Sequence, residues 1–442
     1  MPTMERILIG DLSRHAGKDV SISGWVDVRR DQGKMVFFDF RDRSGTVQGV
    51  VLPGSAAMDA AKEVRNEFVV RVTGTVNKRP EKNVQADKVN GDIELEVKGI
   101  EVLSAAQELP FDKDTGLNIE TRFDYRPYTL RSERDRDIFA VQATIVNAYR
   151  ESLRRQGFTE FMAPALVGGD AEGGSAVFKV QYFNDHTAYL ATSPQLYKQM
   201  MVGVYERAFT IAKIFRAEKS ATTRHLSELT QMDFEMGFIN DEHDVLAVLE
   251  KVVRDTVEEV IARHTDVLTR LNVASAALPK NSFPTLTLSQ VFTTLGLPEA
   301  DDLDPEHERA ICEWALKEHG SDFVFVTRFP TAARAFYTMS EDAKYSRGFD
   351  LLFRGLEINS GAQRIHDHDE MVARIKERGM DPDKFQFYLQ AFKYGMPPHG
   401  GCSTGLERFT MKMLNLGNVK EASAFPRDMH RIDTLLSKEE SV

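Results

Sequence analysis

The chain has only two cysteines, Cys312 and Cys402, which excludes a disulfide framework and suits a reducing compartment. It has no apolar run behind a basic start, and no stretch approaching the ~20 apolar residues of a membrane span. A cytoplasmic protein with no membrane association is expected. It has no basic surplus: 56 Lys and Arg stand against 67 Asp and Glu, a formal charge of −11. A protein that coats nucleic acid nonspecifically would carry the opposite sign. It lacks GxxxxGK[ST], which excludes a P-loop, and it shows no internal repeat or low-complexity segment. What remains is 442 residues with 42% hydrophobic content, enough for a large core and about two domains. Acids and bases balance over the first hundred residues, so the negative surplus lies downstream. Local clusters such as Arg29-Arg30 and Lys78-Arg79 can still meet phosphates.

From Val20 to Val102 the apolar residues alternate or run briefly, as in VSISGWVDV, MVFFDFRD and FVVRVTGTV. Gly, Asp and Asn punctuate them and β-branched residues are frequent, which predicts several short strands in a small barrel or sandwich. RDRSGTVQ reads as a hairpin turning at Ser44-Gly45. A polar stretch from Ala105 to Tyr128, with Pro110 and Pro127, reads as a linker. Helical spacing starts near Ser132 and stops at Gly157. Beyond it, helical patterns (DEHDVLAVLEKVVRDTVEEVIARH, DEMVARIKERG) alternate with strand-like runs (DFVFVTRF, FDLLFRGLEI). The expected domains are therefore 1–104, a linker over 105–131, and an α/β or α+β domain over 132–442.

Four segments mix charge with apolar, strand-like flanks: TSPQLYKQM, FRAEKSATTRHLSELTQMDFEMGF, GFDLLFRGLEINSGAQRIH and GLERF. They bring Lys198, Arg216, Arg224, Arg364 and Arg408 near Glu218, Asp233, Asp350, Glu357 and Glu407. A cleft with several guanidinium forks and paired carboxylates suits a polyphosphate with Mg²⁺. Asp350 and Glu357 are seven residues apart. Across a hairpin they could converge on one cation; along a single strand they would point to opposite faces. A solvated strand pair remains the alternative on spacing alone.

The same segments carry a resemblance. FRAE, followed by a loop and RHLSE, resembles motif 2 of the class II aminoacyl-tRNA synthetases. GLERF resembles motif 3, and GFTEFMAPAL, closed by Pro164, resembles motif 1. SPQLYKQ, EINSGAQRIH and FPRDMHR, with Asp428, narrow the resemblance to the aspartyl branch in its short, archaeal-type form. It implies an α+β fold, with an N-terminal OB-fold anticodon domain before a catalytic domain of antiparallel sheet flanked by helices. It further implies aspartate–tRNA ligase activity on ATP, L-aspartate and tRNA(Asp), with tRNA(Asn) left open, in a cytoplasmic homodimer joined at the motif 1 surface around Pro164.

The resemblance also implies residue roles. Arg216 would hold the α-phosphate and the aspartate carboxylate, and Arg408 the γ-phosphate; these are the two catalytic candidates. Ala217, Glu218, Arg224, His225, Leu226, Glu357, Gly405, Leu406 and Glu407 would complete the ATP site. Glu172, Ser193, Gln195, Lys198, Asp233, Ser360 and Arg364 would surround aspartate. Lys198 and Arg364 would meet its side-chain carboxylate, Asp233 would orient Lys198, and Glu172 would ride on a glycine-flanked lid. Asp350, Glu357 and Ser360 would hold Mg²⁺. On the barrel, Phe37 would stack on an anticodon base, with Arg30, Gln48, Arg79 and Glu94 nearby.

Some positions depart from the family's usual pattern. Leu229 stands where an aromatic often packs under adenine, Asn359 replaces a common serine, and Cys402 to Thr404 replace glycine-rich sequence. Thr434 stands where proline is frequent. Asp27 fits neither usual pattern at a barrel position associated with tRNA choice. None removes a charged catalytic group. An asparaginyl enzyme is the same-class rival, disfavoured by Lys198, Arg364 and Asp428. A synthetase-like paralogue without tRNA charging is the rival of another class.

Overall fold

The computed structural model describes residues 5–85, 89–112, 115–169, 176–219 and 222–432. They form two compact units, Met1–Thr115 and Gly116–Val442. Among the described residues no helix is long and apolar enough to cross a membrane.

The first unit is a closed barrel of β1 (Asp19–Asp31), β2 (Val36–Arg41), β3 (Thr46–Val51), β4 (Val69–Lys78) and β5 (Ile93–Ser104), ordered β1-β2-β3-β5-β4. Alternation in the sequence becomes alternation of faces. Val36, Phe38 and Phe40 are buried while Phe37 and Asp39 face outward. Closing the sheet on itself removes its edges, an OB-type solution to an all-β core. The expected hairpin joins β2 and β3, with Asp42 N–H donating to Gly45 O at 3.0 Å.

The second unit starts earlier than its helical periodicity suggests. Residues 105–131 were read as linker, yet Ile119–Asp124 and Arg126–Thr129 are helical and belong to this unit. Buried Arg126 donates to the carbonyls of Ala424 and Ser423, at 2.7 and 3.1 Å. The segment's polarity serves long-range hydrogen bonds to the C-terminal part, which local composition cannot reveal.

The unit is built on an eight-stranded sheet. Its strands are β6 (Thr159–Glu160), β10 (Arg207–Phe215), β11 (Glu228–Gly237), β12 (Thr285–Thr287), β13 (Phe323–Thr327), β14 (Gly348–Phe353), β15 (Glu357–Arg364) and β16 (His399–Gly405). The order is β12-β13-β14-β15-β16-β11-β10-β6, antiparallel except at the two outer pairs. β7 (Leu166–Val167), β8 (Lys179–Gln181) and β9 (Thr187–Leu190) form a separate small sheet. Helices Glu133–Arg155 and Glu242–Arg270 pack Ile138, Val141, Ile145, Val252 and Val257 against Phe209, Phe234, Phe349 and Leu351 of the sheet. Period-2 alternation then sends the neighbouring residues to the opposite face.

Candidate active site

Register lines up the polar residues. Asp233 of β11 pairs with Ser403 of β16, Ser403 with Ser360 of β15, and Ser360 with Asp350 of β14. One polar row thus crosses four adjacent strands. The next row carries Glu235, opposite Gly401. A Cβ at position 401 would sit 2.3 Å from Glu235 Oε2, so glycine is required for this carboxylate to lie flat on the sheet.

Below the cleft lies a buried four-charge network. Lys198, from helix Gln195–Tyr205, donates to Asp233 Oδ1 at 2.8 Å and to Cys402 O at 3.0 Å, and lies 3.4 Å from Glu235 Oε2. Arg364 Nε donates to Glu235 Oε1 and its Nη2 to Gly401 O, both at 2.8 Å. Burial pushes the Glu235 carboxyl up, but Arg364 and Lys198 outweigh it and leave it below the usual range. For Asp233 burial wins over Lys198, and its pKa is raised. Two fixed cations are therefore held in place by the protein's own acids, which is how a low-dielectric site can keep them ready for a small anionic ligand.

Behind this network Gln195 Nε2 and Tyr388 Oη–H both donate to Gln199 Oε1, at 3.0 Å each. The Gln199 amide stands 2.9 Å from His399 Nε2, and His399 Nδ1 stands 2.9 Å from Pro397 O. That pairing assigns the proton to Nδ1 and keeps the imidazole neutral. Burial pushes His399 down to about 4. The unfolded chain would take up this proton near pH 6.5, the folded one only near 4, so stability is present above pH 6.5 and lost as pH falls through that window. Urea midpoints should fall between pH 6.5 and 4.5, by an amount that approaches about 3 kcal/mol by pH 4. The His399→Gln variant should show a flatter profile, and an equal slope in both proteins would contradict the assignment.

Above lies a cleft of about 160 Å³, lined by Arg216, Glu218, Arg224, His225, Leu226, Leu229, Ser360, Ser403, Gly405, Glu407 and Arg408, among others. Arg216 is half-exposed and 4.0 Å from Glu218. Ala217 N–H donates to Ala176 O at 3.0 Å, tying the loop down. Arg408, in helix Leu406–Met413 that starts after Gly405, donates to Glu357 O at 3.0 Å and Oε2 at 3.3 Å. Arg224 donates to Glu308 Oε2 at 2.8 Å and Gly355 O at 3.2 Å. Burial and the Arg408 charge lower His225. Glu407 is buried and accepts Thr230 N–H through both oxygens, so it fastens β11 to the following helix. Leu229 does face this cleft.

Asp350 and Glu357 do lie across a hairpin, β14 to β15. A register shift between Leu351 and Leu352 lets Glu357 pair with Leu352, which puts it on the Asp350 side. Water loss and the Asp350 charge raise the Glu357 carboxyl. The same surroundings hold a residue that sequence reasoning missed. Arg334 Nη1 donates to Asp350 Oδ1 and to Ser360 Oγ, both at 3.0 Å, and Nη2 to Asp350 Oδ2 at 2.7 Å. Glu235, Glu308 and Gln199 were missed as well. Only Glu235 had a signal, its two-residue spacing from Asp233 on one strand.

Ser193 is buried just before helix Gln195–Tyr205, and Pro164 is exposed. Glu172 and Thr434 lie outside the described residues. On the barrel, Arg30 donates both terminal nitrogens to Asp39 at 2.9 Å, beside half-buried Phe37. Arg79 donates to Gln48 at 3.1 Å, and Glu94 pairs with Asn77 on the neighbouring strand. Asp27 accepts from Arg41 Nε at 2.7 Å, and buried Arg41 also reaches Glu67 at 2.6 Å.

The fold and site define a class. The family described as tRNA synthetases class II (D, K and N) matches residues 118–429, and an OB-fold nucleic acid binding domain matches residues 20–103. The aspartate–tRNA(Asp/Asn) ligase of Thermus thermophilus is 43% identical over 97% of this chain and 99% of its own length. The aspartate–tRNA(Asp) ligase of Pyrococcus horikoshii is 38% identical over 94% and 96%. The asparaginyl-tRNA synthetase of Pyrococcus horikoshii, solved with asparaginyl-adenylate, superposes with a TM-score of 0.89 at 30% identity, covering 97% of this chain and all of that one. The chain belongs to the aspartate–tRNA ligase family of class II synthetases.

Proposed function

We propose that the second unit joins L-aspartate to ATP as aspartyl-adenylate and passes the aspartyl group to the 3′ end of tRNA(Asp) and of tRNA(Asn). The observation that carries this is the layered arrangement of cations. Lys198 and Arg364 lie fully buried, while Arg216, Arg224 and Arg408 line the cleft above. The lower pair suits a compact carboxylate, and the upper set a phosphate chain.

In the first step the aspartate α-carboxylate attacks the α-phosphate in line, forming the acyl-phosphate bond as pyrophosphate leaves. In the second, a terminal ribose hydroxyl of the tRNA attacks the acyl carbon, and AMP leaves with the bonding electrons. No side chain becomes covalently attached. The protein orients reactants and neutralises developing charge. Arg216 would hold the α-phosphate and α-carboxylate, and Arg408 the γ-phosphate. Ser193, Gln195 and Glu172 would meet the α-ammonium. Asparagine would bring no carboxylate to Lys198 and Arg364 and would leave donors aimed at the substrate unmatched, a mismatch such sites reject by about 10⁴-fold or more.

Asp350, Glu357 and Ser360 offer hard oxygen donors on one face, where burial and then the Asp350 charge raise the Glu357 carboxyl. They fit Mg²⁺, which would supply charge neutralisation to the phosphates. Exposed Pro164 and the neighbouring side chain of Met162, 80% exposed, support a homodimer surface at motif 1. Two buried free thiols are compatible with work in the cytoplasm.

Charging purified tRNA(Asp) and tRNA(Asn) side by side tests the reading. Both should accept aspartate, as the name of the Thermus relative would lead one to expect. Charging of tRNA(Asp) alone would overturn the dual specificity, and charging of neither would overturn the whole. In the same assay Phe37→Ala should raise KM for tRNA roughly tenfold or more, the scale of one lost base stack, and leave pyrophosphate exchange unchanged. Equal loss of both activities would remove Phe37 from anticodon binding.

A further inference from the structure

Next to the nucleotide cleft is a second cavity, of about 130 Å³, lined by Asp302, Glu308, Phe329, Arg334, Asp350 and Glu357 among others. It shares Glu357 with the cleft. Four of these side chains are acids and one is a base. The base, Arg334, is largely buried, with 17% of its side chain exposed. Its guanidinium stacks 3.8 Å above the Phe329 ring and donates in a fork to Asp350 and singly to Ser360. These are two of the three oxygen-bearing side chains that would hold the divalent cation. Both Asp350 oxygens accept from the fork, so a cation at this carboxylate competes with a guanidinium charge already held there.

We propose that Arg334 is a resident counter-ion that occupies the Asp350–Ser360 part of the divalent-cation site until the cation arrives and displaces it. The inference rests on the assignment of Asp350, Glu357 and Ser360 to that cation. The arrangement has a physical reason. Asp350 is buried and sits close to Glu357, and a carboxylate pair in such surroundings needs a cation at all times. Arg408 serves Glu357 and Arg334 serves Asp350. The cavity offers the released guanidinium a second acceptor. Asp302 is exposed on the same wall system, and its charge already acts on Arg334. Phe329 provides a flat surface along which the planar group can slide while keeping its stacking contact. Nucleotide-free protein should therefore bind divalent cations weakly, because binding has an internal competitor.

The test is Mn²⁺ binding to nucleotide-free full-length protein, read as free Mn²⁺ by electron paramagnetic resonance. Arg334→Gln removes the competitor and should bind Mn²⁺ about tenfold tighter than the unaltered chain. Its melting temperature should also rise more on Mn²⁺ addition. Arg334→Lys keeps the charge and loses the fork, and should fall between the two. Asp302→Asn should weaken Mn²⁺ binding severalfold, because the displaced guanidinium loses its acceptor. Unchanged or weaker binding in Arg334→Gln would overturn the proposal; if that variant does not fold, the same result in Arg334→Lys would do so. Asp350→Asn separates the two readings: undiminished Mn²⁺ binding in that variant would instead overturn the assignment of the cation site itself.

Discussion

Replacing Arg408 with alanine is expected to slow aspartate-dependent ATP–pyrophosphate exchange by about 10³-fold, the scale of a lost arginine at a phosphoryl-transfer site. The side chain leaves a helix that begins where the β16 backbone ends, and it donates to the carbonyl and carboxylate of Glu357. Its removal takes a cation from Glu357, so some loss of stability should accompany the loss of rate, and exchange is to be measured where the variant is folded. What is lost is a fixed positive charge lining the cleft, which on the proposed reading would face the phosphates that leave. Lysine at this position should recover part of the rate, since it restores charge without the planar fork. Stopped-flow or exchange measurements at saturating ATP would show the loss in kcat. A variant within tenfold of the starting rate would take Arg408 out of the reaction.

The second large effect concerns the choice of amino acid. Arg364→Gln should lower kcat/KM for aspartate by about 10³-fold or more, and it should destabilise the fold by about 3–5 kcal/mol. The two losses have different origins. On the proposed reading, activity falls because the guanidinium would meet the substrate carboxylate. Stability falls because Glu235 is left buried with Lys198 at 3.4 Å as its nearest cation. Adding Glu235→Gln to the variant should restore much of the stability and none of the activity. Denaturant titration and exchange kinetics on the single and double variants would show this split. Activity that returned with stability would reduce Arg364 to a structural residue.

Much of this architecture was legible. The alternating and briefly running apolar residues from Val20 to Val102 left a small barrel or a sandwich open, and the barrel is what forms. FRAE and RHLSELTQMDFE flank a loop; Phe215 of the first ends β10, and Glu228 of the second opens the antiparallel β11. The hairpin needed for Asp350 and Glu357 to converge was one of two open readings, and the bulge at Leu351–Leu352 that completes it leaves no mark in the sequence. The central strand β16 was less visible. It reads HGGCSTG, with glycines and small polar residues that disfavour strands in isolation. It is a strand because β11 and β15 need a neighbour that lets Glu235 and Arg364 approach its backbone. Arg334 and Glu308 were hidden for another reason. Each lies far along the chain from its partner, Asp350 or Arg224 respectively, and only the tertiary fold brings them together.

The contact between Gly401 and Glu235 has an evolutionary consequence. A Cβ at position 401 would sit 2.1 Å from the Phe234 carbonyl oxygen and 2.3 Å from a Glu235 carboxylate oxygen, so position 401 cannot gain a side chain whatever stands at 235. A descendant of this chain that came to prefer another amino acid would have to keep this glycine and change the side chains around it. The floor of the site is thus held by backbone spacing, a constraint that does not act on the arginines at the rim.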